Sequence, residues 1–170
     1  MLSPDVVTLG NHEVDYGLAH LLFIEKCAKF PIINANMYLT TNYVRLFRSH
    51  IIKEIDGMKI LFIGILTEDV LSQTKQDTLI GSLVDVHEAV EEVGKIRNAY
   101  QTEDIDFTVL LTHIGFEADK KLAALLDPNW GVDIIIGGHS HTLLEKAEVV
   151  AGIPIVQAAM GTDQIGRFDI

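Results

Sequence analysis

Three short apolar runs end in histidine-bearing segments, and this pattern constrains the fold more than any other feature of the chain. The runs DVVTL, FTVLL and VDIII are followed by GNHE, TH and GGHSH. Apolar, β-branched runs that stop at glycine or polar residues predict buried strands. Because ligands in open α/β sheets bind beyond the carboxyl ends of strands, we expect the three histidine segments to converge on one site.

The remaining chain alternates between helical and strand-like patterns. Apolar spacing predicts helices over 18–28, 85–100 and 116–126, and strands over 31–37, 51–55, 58–66 and 105–111. Asp56-Gly57 predicts a type I′ hairpin, Ala151-Gly152 predicts a second tight turn, and the final IGRFDI is expected to begin one more strand. Together these elements predict a single α/β sandwich with mixed β-sheets.

Composition excludes several classes of protein. The chain has 170 residues, 48% of them hydrophobic, which suits one domain with a sizeable core. With 13 basic against 24 acidic residues, the net charge of −11 disfavours binding to a nucleic-acid polymer. No apolar run is long enough for a membrane span, and no signal-peptide pattern is found. The single cysteine, Cys27, excludes an internal disulfide and is expected to be a buried thiol.

The GGHSH segment is a candidate metal site. His139 and His141 are separated by one residue, so on an extended backbone both imidazoles would point to the same side. Gly137 and Gly138 leave room for a close approach of the backbone. Solvated turn histidines remain the alternative, and His113 taken alone would more often be a satisfied or exposed histidine. A serine-hydrolase site is disfavoured because GGHSH is not a G-x-S-x-G elbow.

The GNHEVDYG segment combines three further candidate groups. Asn11 offers a neutral amide oxygen to a metal, and His12 can donate or accept a proton near neutral pH. Asp15 lies three residues after His12, where its carboxylate could reach the imidazole and favour the protonated form. For Asn11 and Asp15 taken separately, turn or helix-capping roles remain open.

Taken in order, GNHEVDYG, NANMY, LLTHIGFEADKKLA, DIIIGGHSH and IPIVQAAMGTDQIGRFDI closely resemble the catalytic domain of the 5′-nucleotidase family, within the calcineurin-like metallophosphoesterases. The resemblance covers nearly the whole chain. It implies a four-layer α/β sandwich that binds two divalent metal ions (Zn, Mn, Co or Mg). It also implies hydrolysis of nucleoside 5′-monophosphates or other phosphomonoesters.

The resemblance further implies a role for each candidate residue. The implied metal ligands are Asn11, His113 and His139 for one ion and His141 for the other. His12 would be the catalytic histidine, which stabilises the phosphoryl group or assists the leaving oxygen, with Asp15 as its partner. Asp at position 15 resembles the 5′-nucleotidases more than the 2′,3′-cyclic-nucleotide phosphodiesterases, which remain an alternative within the enzyme class.

Two parts of the family pattern are absent from the sequence: an Asp-any-His segment and a Gly-Asp segment that would precede GNHE. We therefore expect residues 1–170 to be a partial catalytic domain, incomplete at the N-terminus and without the family's C-terminal substrate-binding domain. The ligands that can be assigned are all neutral, so we expect tight binding of at most one ion and little phosphatase activity.

A non-catalytic sandwich that acts as a binding or interaction module is the alternative to an enzyme. Strands missing from the sandwich would leave a sheet edge exposed, which favours self-association. Members of the family are commonly periplasmic or on the cell surface, but the compartment of this chain stays open.

Overall fold

A six-stranded mixed sheet forms the centre of the computed structural model, which describes residues 4–68, 83–161 and 164–169. In spatial order its strands are β4 (His50–Ile55), β5 (Met58–Leu66), β7 (Phe107–His113), β8 (Ile134–Ile136), β10 (Ile153–Val156) and β9 (Glu148–Val150). The four central strands pair in parallel, and the two edge strands are antiparallel to their neighbours. The predicted α/β fold with a mixed sheet is confirmed.

Two smaller sheets and three helices complete the described part of the fold. Strand β1 (Val7–Thr8) pairs in parallel with β2 (Ile32–Ile33), and β3 (Met37–Leu39) pairs antiparallel with β6 (Val84–Val86). The helices are α1 (Leu18–Cys27), α2 (Ala89–Ala99) and α3 (Phe116–Leu125), with 3₁₀ turns at Asn11–Val14 and Pro128–Trp130. Within the three described ranges, no helix is long and apolar enough to cross a membrane.

The hairpin between β4 and β5 forms as predicted. Asp56 and Gly57 both adopt left-handed backbone angles, with φ of 51° and 85°, as the two central residues of a type I′ turn require. The pairing of Ile55 with Met58 fixes the register. From Ile60 to Leu66, every residue of β5 except Phe62 is buried. The predicted turn at Ala151-Gly152 likewise joins β9 and β10.

The single strand predicted over 31–37 is in fact two strands, β2 and β3. Asn34 accepts a 2.9 Å hydrogen bond from the backbone N–H of Met37, and Asn36 bonds the backbone of Leu66 on β5. These side-chain bonds replace ladder bonds and interrupt the strand.

Three other predictions need correction. The helix predicted over 85–100 begins at Ala89, because Val84–Val86 pairs with β3 instead. Residues 164–169 form no strand. Cys27 is exposed rather than buried, since α1 buries only Leu21. The sequence from 67 to 81 is rich in polar residues, and most of it lies outside the described residues.

The core positions the ends of the parallel strands. Helices α2 and α3 cover one sheet face, where they pack on Leu61, Ile63, Ile65, Leu110 and Ile135.

Backbone packing holds the small β1–β2 sheet against β5: a Cβ on Gly64 would lie only 2.3 Å from the carbonyl oxygen of Ile33. The Thr8 hydroxyl donates to the same carbonyl at 3.1 Å. This contact brings the residues after β1 beside the end of β7.

A buried carboxylate ties β3 to α2. Glu92 is fully buried and accepts hydrogen bonds of 2.6 Å each from Tyr38, Arg45 and Lys95. Burial alone would raise the pKa of Glu92, but these three hydrogen bonds outweigh it, and the pKa falls below its ordinary value. Glu92 is therefore ionised at neutral pH.

Candidate active site

Side chains from three separate segments meet beyond the ends of the strands. Asn11 Oδ1 lies 2.9 Å from His113 Nε2 and 3.2 Å from His139 Nδ1. The two imidazole rings lie edge to face, with centroids 5.1 Å apart. Asn11 follows β1, His113 ends β7 and His139 follows β8. The predicted convergence of the three histidine-bearing segments is confirmed, and we call this group the Asn-His-His triangle.

The ring of His113 is packed between two glycines. A Cβ on Gly10 would lie 3.0 Å from its Cε1, and a Cβ on Gly138 would lie 3.1 Å from its Nδ1. Burial lowers the pKa of His113, and the neighbouring His139 lowers it further. The ring is thus held in the neutral form in which imidazole binds metals.

His12 and Asp15 form a close pair on the 3₁₀ turn after β1. The distance from His12 Nδ1 to Asp15 Oδ2 is 2.7 Å, and the side chain of His12 is 82% exposed. The hydrogen bond to Asp15 raises the pKa of His12, and the carboxylate charge adds to the effect. Because Asp15 occupies Nδ1, Nε2 is the nitrogen open to a substrate. The predicted contact between these two residues is confirmed.

Glu13 holds this turn in place and was not anticipated from the sequence. Its Oε2 accepts a 2.7 Å hydrogen bond from the backbone N–H of Gly10. The G-x-x-E spacing is the signal that could have identified it, since a carboxylate three residues after a helix start commonly bonds back to the backbone. This bond closes the turn that contains Asn11 and His12.

The GGHSH turn differs from the extended conformation expected from sequence. His139 and His141 have φ of 77° and 54°, so both adopt the left-handed conformation. A left-handed backbone conformation costs on the order of 1–3 kcal/mol of stability for each non-glycine residue. It persists only where the surrounding structure imposes it. As a result, His139 joins the Asn-His-His triangle, whereas His141 is exposed.

Ser140 and Gln157 hold the turn. Ser140 Oγ accepts a 3.0 Å hydrogen bond from the backbone N–H of Phe116 at the start of α3 and bonds Thr142 Oγ1 at 2.9 Å. The side-chain amide of Gln157 is fully hydrogen-bonded when its NH₂ group faces Ser140 Oγ. In that orientation its oxygen accepts from the backbone N–H groups of His141 and Thr142, each at 3.1 Å. No local pattern signals the contacts with Phe116 and Gln157, because these residues are remote from the turn along the chain.

The chemistry of the triangle fits a divalent cation. Across 4–68, 83–161 and 164–169, no group of three or more His, Cys, Asp or Glu side chains is arranged to hold a metal ion. The triangle instead combines two imidazoles with an amide. Adjacent ligands around a cation with bonds of about 2.1 Å are about 3.0–3.4 Å apart, which is similar to the 2.9 and 3.2 Å separations here. Small movements of these side chains would admit an ion.

Comparison with known proteins identifies the family of the chain. The model for the calcineurin-like phosphoesterases matches residues 1–143. Protein UshA of Yersinia enterocolitica is 31% identical over 198 residues, and the 5′-nucleotidase of Vibrio vulnificus is 33% identical over 196. Each alignment covers 99% of this chain and 35% of the relative.

Among solved structures, the 5′-nucleotidase precursor from Thermus thermophilus matches with a TM-score of 0.78 at 28% identity. The match covers 91% of this chain and 33% of that one. The chain therefore spans about a third of the length of these relatives. With a family model matching residues 1–143 and the fold shared with these structures, the chain belongs to the calcineurin-like phosphoesterase family.

Proposed function

We propose that this chain carries the chemistry of a metal-dependent phosphoester hydrolase of the 5′-nucleotidase type, with nucleotides as substrates. The observation that supports the proposal is the meeting of Asn11, His113 and His139, because Asn11 lies on the same short segment as the His12–Asp15 pair. Relatives named as 5′-nucleotidases, which align with almost the whole chain, support nucleotides as the substrate class.

Asn11, His113 and His139 would hold one divalent cation, and His141 would contribute to a second. When bound, the cations supply positive charge that offsets the negative charge growing on the phosphoryl oxygens in the transition state. The lowered pKa of His113 supports this role, because the neutral ring needs to lose no proton before it binds.

His12 would act on the phosphoryl group or on the leaving oxygen. The raised pKa of His12, which results from the hydrogen bond to Asp15, keeps the imidazole protonated closer to neutral pH. Its Nε2–H can then donate to the leaving oxygen while Asp15 holds the ring through Nδ1. Asp15 orients the ring and stabilises its charge.

The assigned ligands are one amide and three imidazoles, all neutral. Carboxylates bind divalent cations more strongly than neutral oxygen donors, so this set should hold at most one ion tightly. We propose that the 170-residue chain by itself turns over slowly. The same domain with further carboxylate ligands would be faster.

A direct test combines metal content with turnover. Purified protein would be supplied with Mn²⁺, Zn²⁺, Co²⁺ or Mg²⁺, freed of loose metal and measured by elemental mass spectrometry. Phosphate release from AMP and hydrolysis of 2′,3′-cyclic AMP would be compared in the wild type, His139→Ala and the control His20→Ala. His20 lies exposed on α1, away from the triangle.

The expected result is about one bound equivalent in the wild type and in His20→Ala and a clear loss in His139→Ala, with slow turnover that favours AMP. Absence of bound metal in the wild type would contradict the proposed site. Two tight equivalents with rapid turnover would show that the neutral ligand set is incomplete. Metal binding without turnover of either substrate would favour a non-catalytic binding module.

A further inference from the structure

A buried carboxyl group lies behind the Asn-His-His triangle and has no part in the chemistry described above. Asp119, on α3, is fully buried. Its Oδ1 accepts a 2.6 Å hydrogen bond from Thr112 Oγ1, while its Oδ2 is buried and has no hydrogen-bond partner among the described residues. Burial raises the pKa of Asp119 to about 7, and the bond from Thr112 only partly opposes this. A half-satisfied buried carboxyl is costly, so its presence calls for a reason.

The unpaired oxygen of Asp119 faces the glycine turn. A Cβ on Gly137 would lie 2.3 Å from Asp119 Oδ2 and 3.6 Å from Thr112 Oγ1. Only a residue without a side chain allows this approach. The carboxyl group, the Thr112 hydroxyl and the Gly137 backbone therefore pack together at one point.

The two partners of Asp119 are placed next to the histidines of the triangle. Thr112 immediately precedes His113 at the end of β7, and Gly137 lies two residues before His139 after β8. One side chain thus touches both of the strand ends that carry imidazoles. Both contacts lie one residue beyond the point where the β7–β8 ladder ends, at the pairing of Leu111 with Ile136.

Helix α3 also holds the far side of the turn. Ser140, one residue after His139, accepts a hydrogen bond from the backbone N–H of Phe116 in the first turn of α3. The same helix therefore contacts the GGHSH turn on both sides of His139, at Gly137 through Asp119 and at Ser140 through Phe116.

We propose that Asp119 is a positioning residue that fixes the relative placement of His113 and His139 by packing against both Thr112 and Gly137. Its effect on a metal ion rests on the proposed function, in which these histidines are ligands. The effect of Asp119 on the orientation of the two rings does not depend on the proposed function, because Asp119 acts on the backbone of the segments that carry them. Truncation of Asp119 would leave a gap into which both strand ends relax, and the two rings would then lose their common orientation toward Asn11.

The test measures the NMR signals of the imidazole rings without metal and the binding of Co²⁺ with it. In the metal-free protein, ¹H–¹⁵N correlations of the imidazole nitrogens report His113 and His139, with His12 as an internal reference. With Co²⁺ added, visible absorption reports ligand geometry and titration reports affinity. The variants are Asp119→Ala, Asp119→Asn and the control Glu117→Gln, which changes a largely exposed carboxylate on the same helix.

We expect Asp119→Ala to shift the ring signals of His113 and His139 but not those of His12. It should also alter the Co²⁺ spectrum and weaken Co²⁺ binding about 10- to 100-fold, the usual cost of losing a residue that orients metal ligands. Asp119→Asn keeps the shape and the acceptor for Thr112, so it should restore most of the wild-type spectrum. Glu117→Gln should match the wild type.

If Asp119→Ala folds and leaves both ring signals and the Co²⁺ spectrum unchanged, the proposal is wrong. If Asp119→Ala does not fold, Thr112→Val provides the second test, because it removes only the hydroxyl that bonds Asp119. Unchanged His113 signals in that variant would overturn the proposal, and shifted signals would support it. If the wild type takes up no Co²⁺, the proposed metal site fails, while the metal-free ring signals still decide the role of Asp119.

Discussion

His113 Nε2 lies 2.9 Å from Asn11 Oδ1, although 102 positions separate the two residues in the chain. His139 Nδ1 shares the same oxygen at 3.2 Å. Asn11 is therefore the centre of the triangle, since it is the one member that contacts both imidazoles. Its amide oxygen is the acceptor that both rings share, and in the proposed function the same oxygen would be a metal ligand.

The central place of Asn11 predicts that Asn11→Ala weakens Zn²⁺ binding by at least about tenfold, because a ligand and the shared hydrogen-bond acceptor are lost together. Isothermal titration with Zn²⁺ measures this. The control Asn42→Ala removes an exposed loop amide whose oxygen accepts a hydrogen bond from Val44 N–H, and this variant should bind like the wild type. Asn11→Asp should bind more tightly than the wild type, because a carboxylate joins an otherwise neutral set. Equal affinities for all four proteins would contradict the assignment.

The contact between His12 and Asp15 predicts a lower pKa for His12 in Asp15→Asn. The hydrogen bond from His12 Nδ1 to the carboxylate is the main cause of the raised pKa, and an amide carries no charge to favour the imidazolium. The pKa of His12 should fall toward its ordinary value of 6.5. NMR titration of the ring protons checks this, with Asp5→Asn as a control because Asp5 pairs with Lys53. An unchanged pKa in Asp15→Asn would show that Asp15 does not control His12.

The convergence of the three segments could be predicted because it follows from local patterns. Each apolar run identified a strand, and the residues after it had to lie at the carboxyl end of the sheet. The Asp56-Gly57 hairpin was predictable for the same reason, since both residues tolerate the left-handed angles that the turn needs.

Features that depend on remote contacts could not be predicted. The left-handed angles of His139 and His141 are imposed by Ser140 and Gln157, whose partners lie on other elements. The interruption of the strand over 31–37 depends on Asn36 reaching Leu66, 30 positions away. The position of Asp119 behind the site required knowing that α3 packs across the ends of β7 and β8.

The raised pKa of Asp119 predicts that stability falls as pH rises. The pKa is about 7 in the folded protein against an ordinary 3.8, so between these values the folded state binds more protons than the unfolded state. The free energy of unfolding should therefore fall between about pH 4 and pH 7, by at most about 4 kcal/mol from this group. Glu92, whose pKa is lowered, acts in the opposite sense and only at more acidic pH.

Asp119→Asn should remove this part of the pH dependence. Urea unfolding across the range from about pH 4 to pH 8 measures it, and the exposed Asp104→Asn should keep the wild-type slope. As pH rises, the wild type should lose stability relative to Asp119→Asn. The unfolding free energy of the variant minus that of the wild type should therefore increase with pH. A difference that is constant across the range would mean that Asp119 titrates normally.

The bond from Tyr38 to buried Glu92 predicts a measurable loss of stability in Tyr38→Phe. Tyr38 is 8% exposed, and its hydroxyl donates a 2.6 Å hydrogen bond to a carboxylate that is itself fully buried. Burial, followed by the nearby carboxylate, raises the pKa of Tyr38 to about 12, so the phenol remains a donor at neutral pH. Removal of a hydrogen bond to a charged group costs about 1.5–3 kcal/mol, because Glu92 keeps its charge but loses one of its three donors.

The matched variant is Tyr43→Phe, which removes the same hydroxyl from a residue that is 70% exposed. Chemical denaturation should show a loss of about 1.5–3 kcal/mol for Tyr38→Phe and a change within about 0.5 kcal/mol for Tyr43→Phe. In Tyr38→Phe the pKa of Glu92 should also rise, since the hydrogen bond from Tyr38 is one of those that lower it. Equal effects of the two substitutions would show that the Tyr38–Glu92 bond does not hold β3 to α2, because the exposed hydroxyl of Tyr43 measures the loss of a phenol oxygen alone.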